Sequence, residues 1–191
     1  GDHVLCSRDV FGSTRVMMDK YITKFGIEVS YVPLSDLSAW QDAVKSNTKM
    51  IFCETPSNPL SEIADLEALS QIAKSANALF VVDNCFCTPV LQKPLKWGAD
   101  IVVHSATKYI DGQGRALGGA VVGSAELMNQ VQGFLRAAGP SMSPFNAWIF
   151  LKGLETLSLR MKAHSANASA LAQWLSKHPK VSKVYFAGLP E

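Results

Sequence analysis

No stretch of this chain approaches the ~20 consecutive apolar residues that a membrane span requires. The longest apolar runs are short, such as Ala78 to Val82 and Ile101 to Val103. Charge of one sign is also missing. Eighteen Lys and Arg against 16 Asp and Glu leave a formal net charge of +2, with no basic run or stripe. Nucleic-acid binding is therefore not expected. Cysteine is sparse: Cys6, Cys53, Cys85 and Cys87 each lie in or beside an apolar run. Cys85 and Cys87 form C-x-C without the second pair a zinc site needs, so no metal is expected. The spacing does not suit a disulfide scaffold. Reduced, mostly buried thiols and a cytoplasmic location are expected instead. Asp2, His3 and Arg8 interrupt any N-terminal apolar region, so no signal peptide is read. The first residue is not Met, and a natural start upstream is expected. Internal repeats and low-complexity segments are lacking too.

What remains is a folding composition, 48% hydrophobic and 18% charged over 191 residues. That is enough for one domain with a sizeable core, or one domain and the start of another. Strand and helix signals alternate. His3 to Ser7 reads as a strand, and Ser13 to Phe25 as a helix with Met17, Met18, Tyr21, Ile22 and Phe25 on one face, ended by Gly26. Ile27 to Val32 is a strand. Asp36 caps a helix to about Lys45. Lys49 to Cys53 is a strand, and Asp65 starts a helix through Ala76. Leu79 to Val82 and Ile101 to His104 read as buried strands, with a turn or short helix from Leu95 to Gly98. Gly119 to Val122 follows as a strand and Glu126 to Ala137 as a helix. Phe145 to Lys177 reads as a long helical region broken near Gly153, and Val181 to Phe186 as renewed strand. Fully buried strands alternating with helices predict an α/β domain with a mostly parallel sheet covered on both faces. Ligands of such sheets sit off the carboxyl ends of the strands.

Three strand ends carry unusual polar content. Glu54-Thr55-Pro56-Ser57-Asn58-Pro59 follows one strand, and its plainer reading is a proline turn. Asp83-Asn84 follows another, where the plainer reading is a helix cap. A carboxylate there is partly desolvated and seeks a cation or several hydrogen bonds. His104-Ser105-Ala106-Thr107-Lys108-Tyr109 follows a third, and a solvated loop lysine is its plainer reading. Lysine near an apolar interior is usually paired or reactive. A lysine amine forms a Schiff base with an aldehyde cofactor. Pyridoxal phosphate (PLP) needs that lysine and an acid that keeps its pyridine nitrogen protonated. Lys108 and Asp83 meet that requirement on strand ends 25 residues apart in sequence. Ser105 and Thr107 have hydroxyls to donate to a phosphate, and Phe11 offers a face to stack on the ring.

These stretches, together with Cys87-Thr88-Pro89 and Gly98-Ala99-Asp100, resemble the Cys/Met-metabolism PLP-dependent enzymes in order and spacing. The family includes cystathionine synthases and lyases, methionine γ-lyase and homoserine-ester sulfhydrylases. Val10 to Thr14, Asp111 to Arg115 with Leu117 to Gly119, and Ser143 to Trp148 are most similar to the sulfhydrylases. The resemblance implies the three-layer α/β large domain of the aspartate-aminotransferase-like fold. Residues 1–152 would form its core without an N-terminal part, and residues 153–191 would lead into a small C-terminal domain. It implies Lys108 as the covalent PLP lysine, Asp83 on the pyridine nitrogen, Ser105 and Thr107 on the phosphate, and Asn58 near the phenolic oxygen. Phe11 falls where many relatives have a stacking Tyr, so an acid–base role for that phenol is lost. The implied reaction is replacement at the γ-carbon of O-succinylhomoserine by sulfide, giving homocysteine in methionine biosynthesis. Cystathionine synthesis or γ/β-elimination is the alternative within the family. A homodimer or homotetramer is implied, with parts outside this chain completing the site. The chain alone is expected to be inactive.

Three readings from other classes compete. Ser105-Ala106-Thr107-Lys108 matches the S-x-x-K of Ser-Lys acyl-enzymes, but Ser105 ends a strand and no K-T-G or S-D-N companion occurs. Dinucleotide binding is a second reading, but Gly112-Gln113-Gly114 with Gly118 lacks G-x-G-x-x-G spacing and leads into a strand, not a helix. A catalytically inactive interaction fragment is the third possibility, against which the intact Asp83 and Lys108 speak.

Overall fold

The computed structural model describes residues 1–189. Its centre is one six-stranded sheet: β1 (His3–Ser7), β2 (Glu28–Val32), β3 (Thr48–Glu54), β4 (Leu79–Asp83), β5 (Ile101–Ser105) and β6 (Gly119–Gly123). The spatial order is β2-β1-β3-β4-β5-β6. All neighbours run parallel except β5 and β6, which are antiparallel. The strand order reverses between β1 and β3. The chain leaves β1 toward the β2 edge and leaves β3 toward β4, opening a crevice at the carboxyl ends.

The helices are α1 (Gly12–Lys20), α2 (Leu37–Asp42), α3 (Leu66–Ser75), α4 (Thr88–Leu91), α5 (Ala125–Ala138) and α6 (Pro144–Leu175). Their starts follow the capping chemistry of the sequence. Asp36 accepts from Ala39 N–H at 3.0 Å and Asp65 from Ala68 N–H at 2.9 Å. Each carboxylate satisfies a helix N–H that would otherwise lack a partner. On one face of the sheet, Leu5, Ile51, Phe80 and Val82 pack with Leu34, Trp40 and Leu69. A second core joins Ala106 and Ile110 to Ile149, Phe150, Leu157 and Met161 of α6.

Several expectations need correction. The helix after β1 stops at Lys20 and continues as a 3-10 turn, Ile22–Phe25. Only Met18 of its expected apolar face is buried, while Met17, Tyr21 and Phe25 are exposed. Helical spacing gives a stripe but not what covers it. Strand β6 is exposed along nearly its whole length and is not a buried strand. Residues 181–186 form no strand. Residues 106–110 are not a plain loop but a π-type turn, with Asp111 N–H donating to Ala106 O at 2.9 Å. Helix α6 does not break at Gly153; it runs 32 residues, about 48 Å.

The unbroken α6 follows from how closely it meets that turn. A β-carbon on Gly153 would sit 2.0 Å from Ile110 O. Glycine is the residue that lets the two backbones touch. Gly153→Ala is therefore expected to destabilise the fold by about 1–3 kcal/mol through overpacking. Gly133 of α5 has open space around it. Gly133→Ala should instead raise stability by about 0.5–1 kcal/mol. Thermal unfolding of the two variants checks both signs.

Candidate active site

Four strand ends converge on the crevice. Just beyond β1 lies Phe11. Strand β3 ends on Glu54 and β4 on Asp83, which are register partners across the parallel pair. Strand β5 ends on Ser105, and the π-type turn Ala106–Ile110 carries Lys108. Lys108 has non-helical backbone angles inside that turn, φ −88° and ψ −117°. Its Nζ lies 5.4 Å from the centre of the Phe11 ring and 5.6 Å from that of Phe86. An ammonium so placed is attracted by two aromatic faces.

The carboxylates set the field around that amine. Glu54 is 2% exposed, and its Oε2 accepts from the Phe11 N–H at 2.6 Å. Burial pushes its carboxyl up to about 7; the Phe11 hydrogen bond lowers it, the charge of Asp83 raises it and Lys108 lowers it. Burial likewise raises Asp83, against the Cys85 N–H and Lys108. Asp83 Oδ1 accepts from that N–H at 3.1 Å, and Oδ2 has no hydrogen-bond partner among the described residues. Neighbouring Asn84 is fully buried and does structural work, donating to Thr88 O and Gln92 O and accepting from Gln92 Nε2.

The remaining expected residues are placed less uniformly. Ser105 is half-buried, and its hydroxyl has no partner among the described residues. The Thr107 hydroxyl is already engaged, donating to Gly118 O at 3.2 Å and accepting from Gly118 N–H at 3.0 Å. Turning the hydroxyl hydrogen alone frees it as a donor while the accepted bond stays. Asn58 is exposed and lines a cavity of about 330 Å³ with Phe86, Tyr109 and Phe186. Three residues that touch this site had no assigned role in the sequence reading: Glu54, Phe86 and Arg160. A carboxylate closing a buried strand, the signal that picked out Asp83, marks Glu54 too. Phe86 follows β4 as Phe11 follows β1. For Arg160, 52 residues beyond Lys108, no local signal exists.

The same fold is found in the cystathionine gamma-lyase from Lactobacillus plantarum, solved with L-serine. The TM-score is 0.95 at 39% identity, over 100% of this chain and 50% of that one. The chain belongs to the Cys/Met metabolism PLP-dependent enzymes, whose family model matches residues 1–191. It is 65% identical over 190 residues to the O-succinylhomoserine sulfhydrylase of Pseudomonas aeruginosa, covering 100% of this chain and 47% of that protein. It is 46% identical to the cystathionine gamma-synthase of Mycobacterium leprae, over 100% of this chain and 49% of that protein. The chain thus spans about half the length of the curated relatives it matches. The residues present fit the family's cofactor: an amine, a carboxylate with a free oxygen, and a Phe11 face left half-exposed.

Glu54 has a stability signature. Its folded carboxyl titrates near 7 and its ordinary value is 4.5. The folded chain therefore keeps a proton that the unfolded chain releases in that window, so stability falls as pH rises through it. Glu54→Gln keeps an oxygen for the Phe11 N–H. In the cofactor-free protein it should match wild type near pH 4 and exceed it above about pH 7.5, by on the order of 2–3 kcal/mol. Denaturant unfolding at the two pH values checks this.

Proposed function

We propose that this chain is the cofactor-binding part of a cytoplasmic homo-oligomeric enzyme that converts O-succinylhomoserine and sulfide to homocysteine and succinate. Residues 1–152 make its large-domain core, and α6 carries the chain toward a second domain. The observation that carries the reading is the seat of Lys108, a strand-end amine between two aromatic faces and opposite two desolvated carboxylates. The choice of sulfhydrylase over synthase is supported by 65% against 46% identity.

PLP, when bound, supplies an aldehyde that condenses with an amine and a ring that draws electrons from the substrate α-carbon. Lys108 Nζ would hold the cofactor, and as a free amine it would take the substrate α-proton. Asp83 would keep the ring nitrogen protonated through its free oxygen; the low-dielectric strand end would strengthen that pairing. Ser105 and Thr107 would donate to the cofactor's phosphate, and Asn58 would serve its phenolic oxygen. Phe11 would stack on the ring and contribute no proton. Its position is fixed by Glu54, which grips its backbone rather than its side chain. No hydrogen bond joins Ser105 to Lys108 among the described residues, so nothing in the geometry favours an acyl-enzyme.

Adding PLP to the intact protein should produce a visible-absorbing adduct that borohydride traps on Lys108. Lys108→Ala should abolish it. Asp83→Asn should keep the adduct but cut homocysteine formation by about 10²–10³-fold, the cost of losing one preorganised electrostatic contact. Faster formation of cystathionine from cysteine than of homocysteine from sulfide would move the protein to the synthases. Residues 1–191 alone are expected to turn over no substrate; turnover by that chain would overturn the need for further parts.

A further inference from the structure

The carbonyls that follow Lys108 are held from a distant helix. Gly112 N–H donates to Lys108 O at 2.7 Å. The next two carbonyls are taken by one side chain of α6: Arg160 Nη1 donates to Tyr109 O at 2.7 Å and Nη2 to Ile110 O at 3.4 Å. The same guanidinium donates from Nη2 to Gly153 O at 2.8 Å and from Nε to Thr156 Oγ1 at 3.0 Å. All three of its nitrogens are engaged. Space for it depends on glycine at 112, where φ is +76° and a β-carbon would lie 2.3 Å from Nη1. One turn further along α6, His164 packs on the Tyr109 ring at 5.4 Å.

A π-type turn leaves carbonyls at its end without intrahelical partners. Water would satisfy them equally well if only hydrogen bonding mattered. A planar fork on a long helix does more, because it fixes the carbonyls in direction relative to a rigid element. Lys108 itself has backbone angles outside the helical range, so the turn's own ladder does not define where its side chain points.

We propose that Arg160 is the positioning residue for Lys108: it locks the turn so that the amine stays seated between Phe11 and Phe86. This rests on Lys108 being the reactive amine, though not on the identity of the substrate. Arg160 touches neither cofactor nor substrate; it acts through the backbone.

Trace labelling of lysines with formaldehyde and cyanoborohydride, read by peptide mass spectrometry, tests this in the intact protein without PLP. In Arg160→Met, which keeps the apolar stem but no donor, Lys108 should label faster by about fivefold, the weight of a single net hydrogen bond. Exposed Lys152 on the same helix should label as in wild type. Arg160→Lys, with the charge but no fork, should fall between, and serves if the Met variant fails to fold. The pH midpoint of the visible PLP adduct should shift in the same order. Lys108 labelling at the wild-type rate in both variants overturns the proposal, as does a uniform rise over all lysines, which marks general loosening. A wild-type protein that forms no PLP adduct, yet shows the Lys108-specific response, sinks the cofactor reading and leaves the positioning role supported.

Discussion

Two carboxylates end adjacent strands of a parallel sheet, and one ammonium stands opposite them. Glu54 and Asp83 are register partners, so the pairing of β3 with β4 forces their charges into the same small volume. Burial raises both, and the charge of Asp83 raises Glu54 further. Lys108 favours the charged form of both carboxylates. Most of the site can be read as the arrangement that makes this charge cluster tolerable: a backbone N–H on each carboxylate, and aromatic faces on the ammonium.

That cluster divides labour between its two acids. Asp83 keeps one oxygen without a hydrogen-bond partner among the described residues and is suited to hold a positive group. Glu54 is committed to the chain itself, tying Phe11, in the loop that follows β1, to the end of β3 across the point where strand order reverses. A ligand bound in that crevice therefore meets a floor whose two sides are joined by a hydrogen bond. On the far side, Arg160 and the Gly153 contact join the lysine turn to α6. Phe11 and the lysine turn are thus each held by an element remote in sequence.

Much of this was legible in the chain. Asp36 and Asp65 announced their helices because an N-cap is a local interaction, complete within four residues. The strands β1, β3, β4 and β5 were visible as short apolar runs, and Lys108 and Asp83 stood out because charged residues rarely close such runs. Phe11 was found by its place after β1. The misses share one cause. The covering of α1, the exposure of β6, the absence of a strand at 181–186 and the continuity of α6 through Gly153 depend on what lies against each segment, which no window of sequence contains. Glycine at 153 reads locally as a helix breaker, but in the fold it is a contact point with Ile110.

The sequence by itself determined the chemistry on offer: an amine, acids and hydroxyls placed at strand ends, because parallel strands bury their middles and leave their carboxyl ends to the crevice. Tertiary structure alone decided how those groups are tuned. Whether a carboxyl titrates near 7, whether the Thr107 hydroxyl is already engaged by Gly118, and whether a lysine turn is braced by an arginine 52 residues away all depend on desolvation and on contacts between distant segments. Those quantities come into being only when the chain packs.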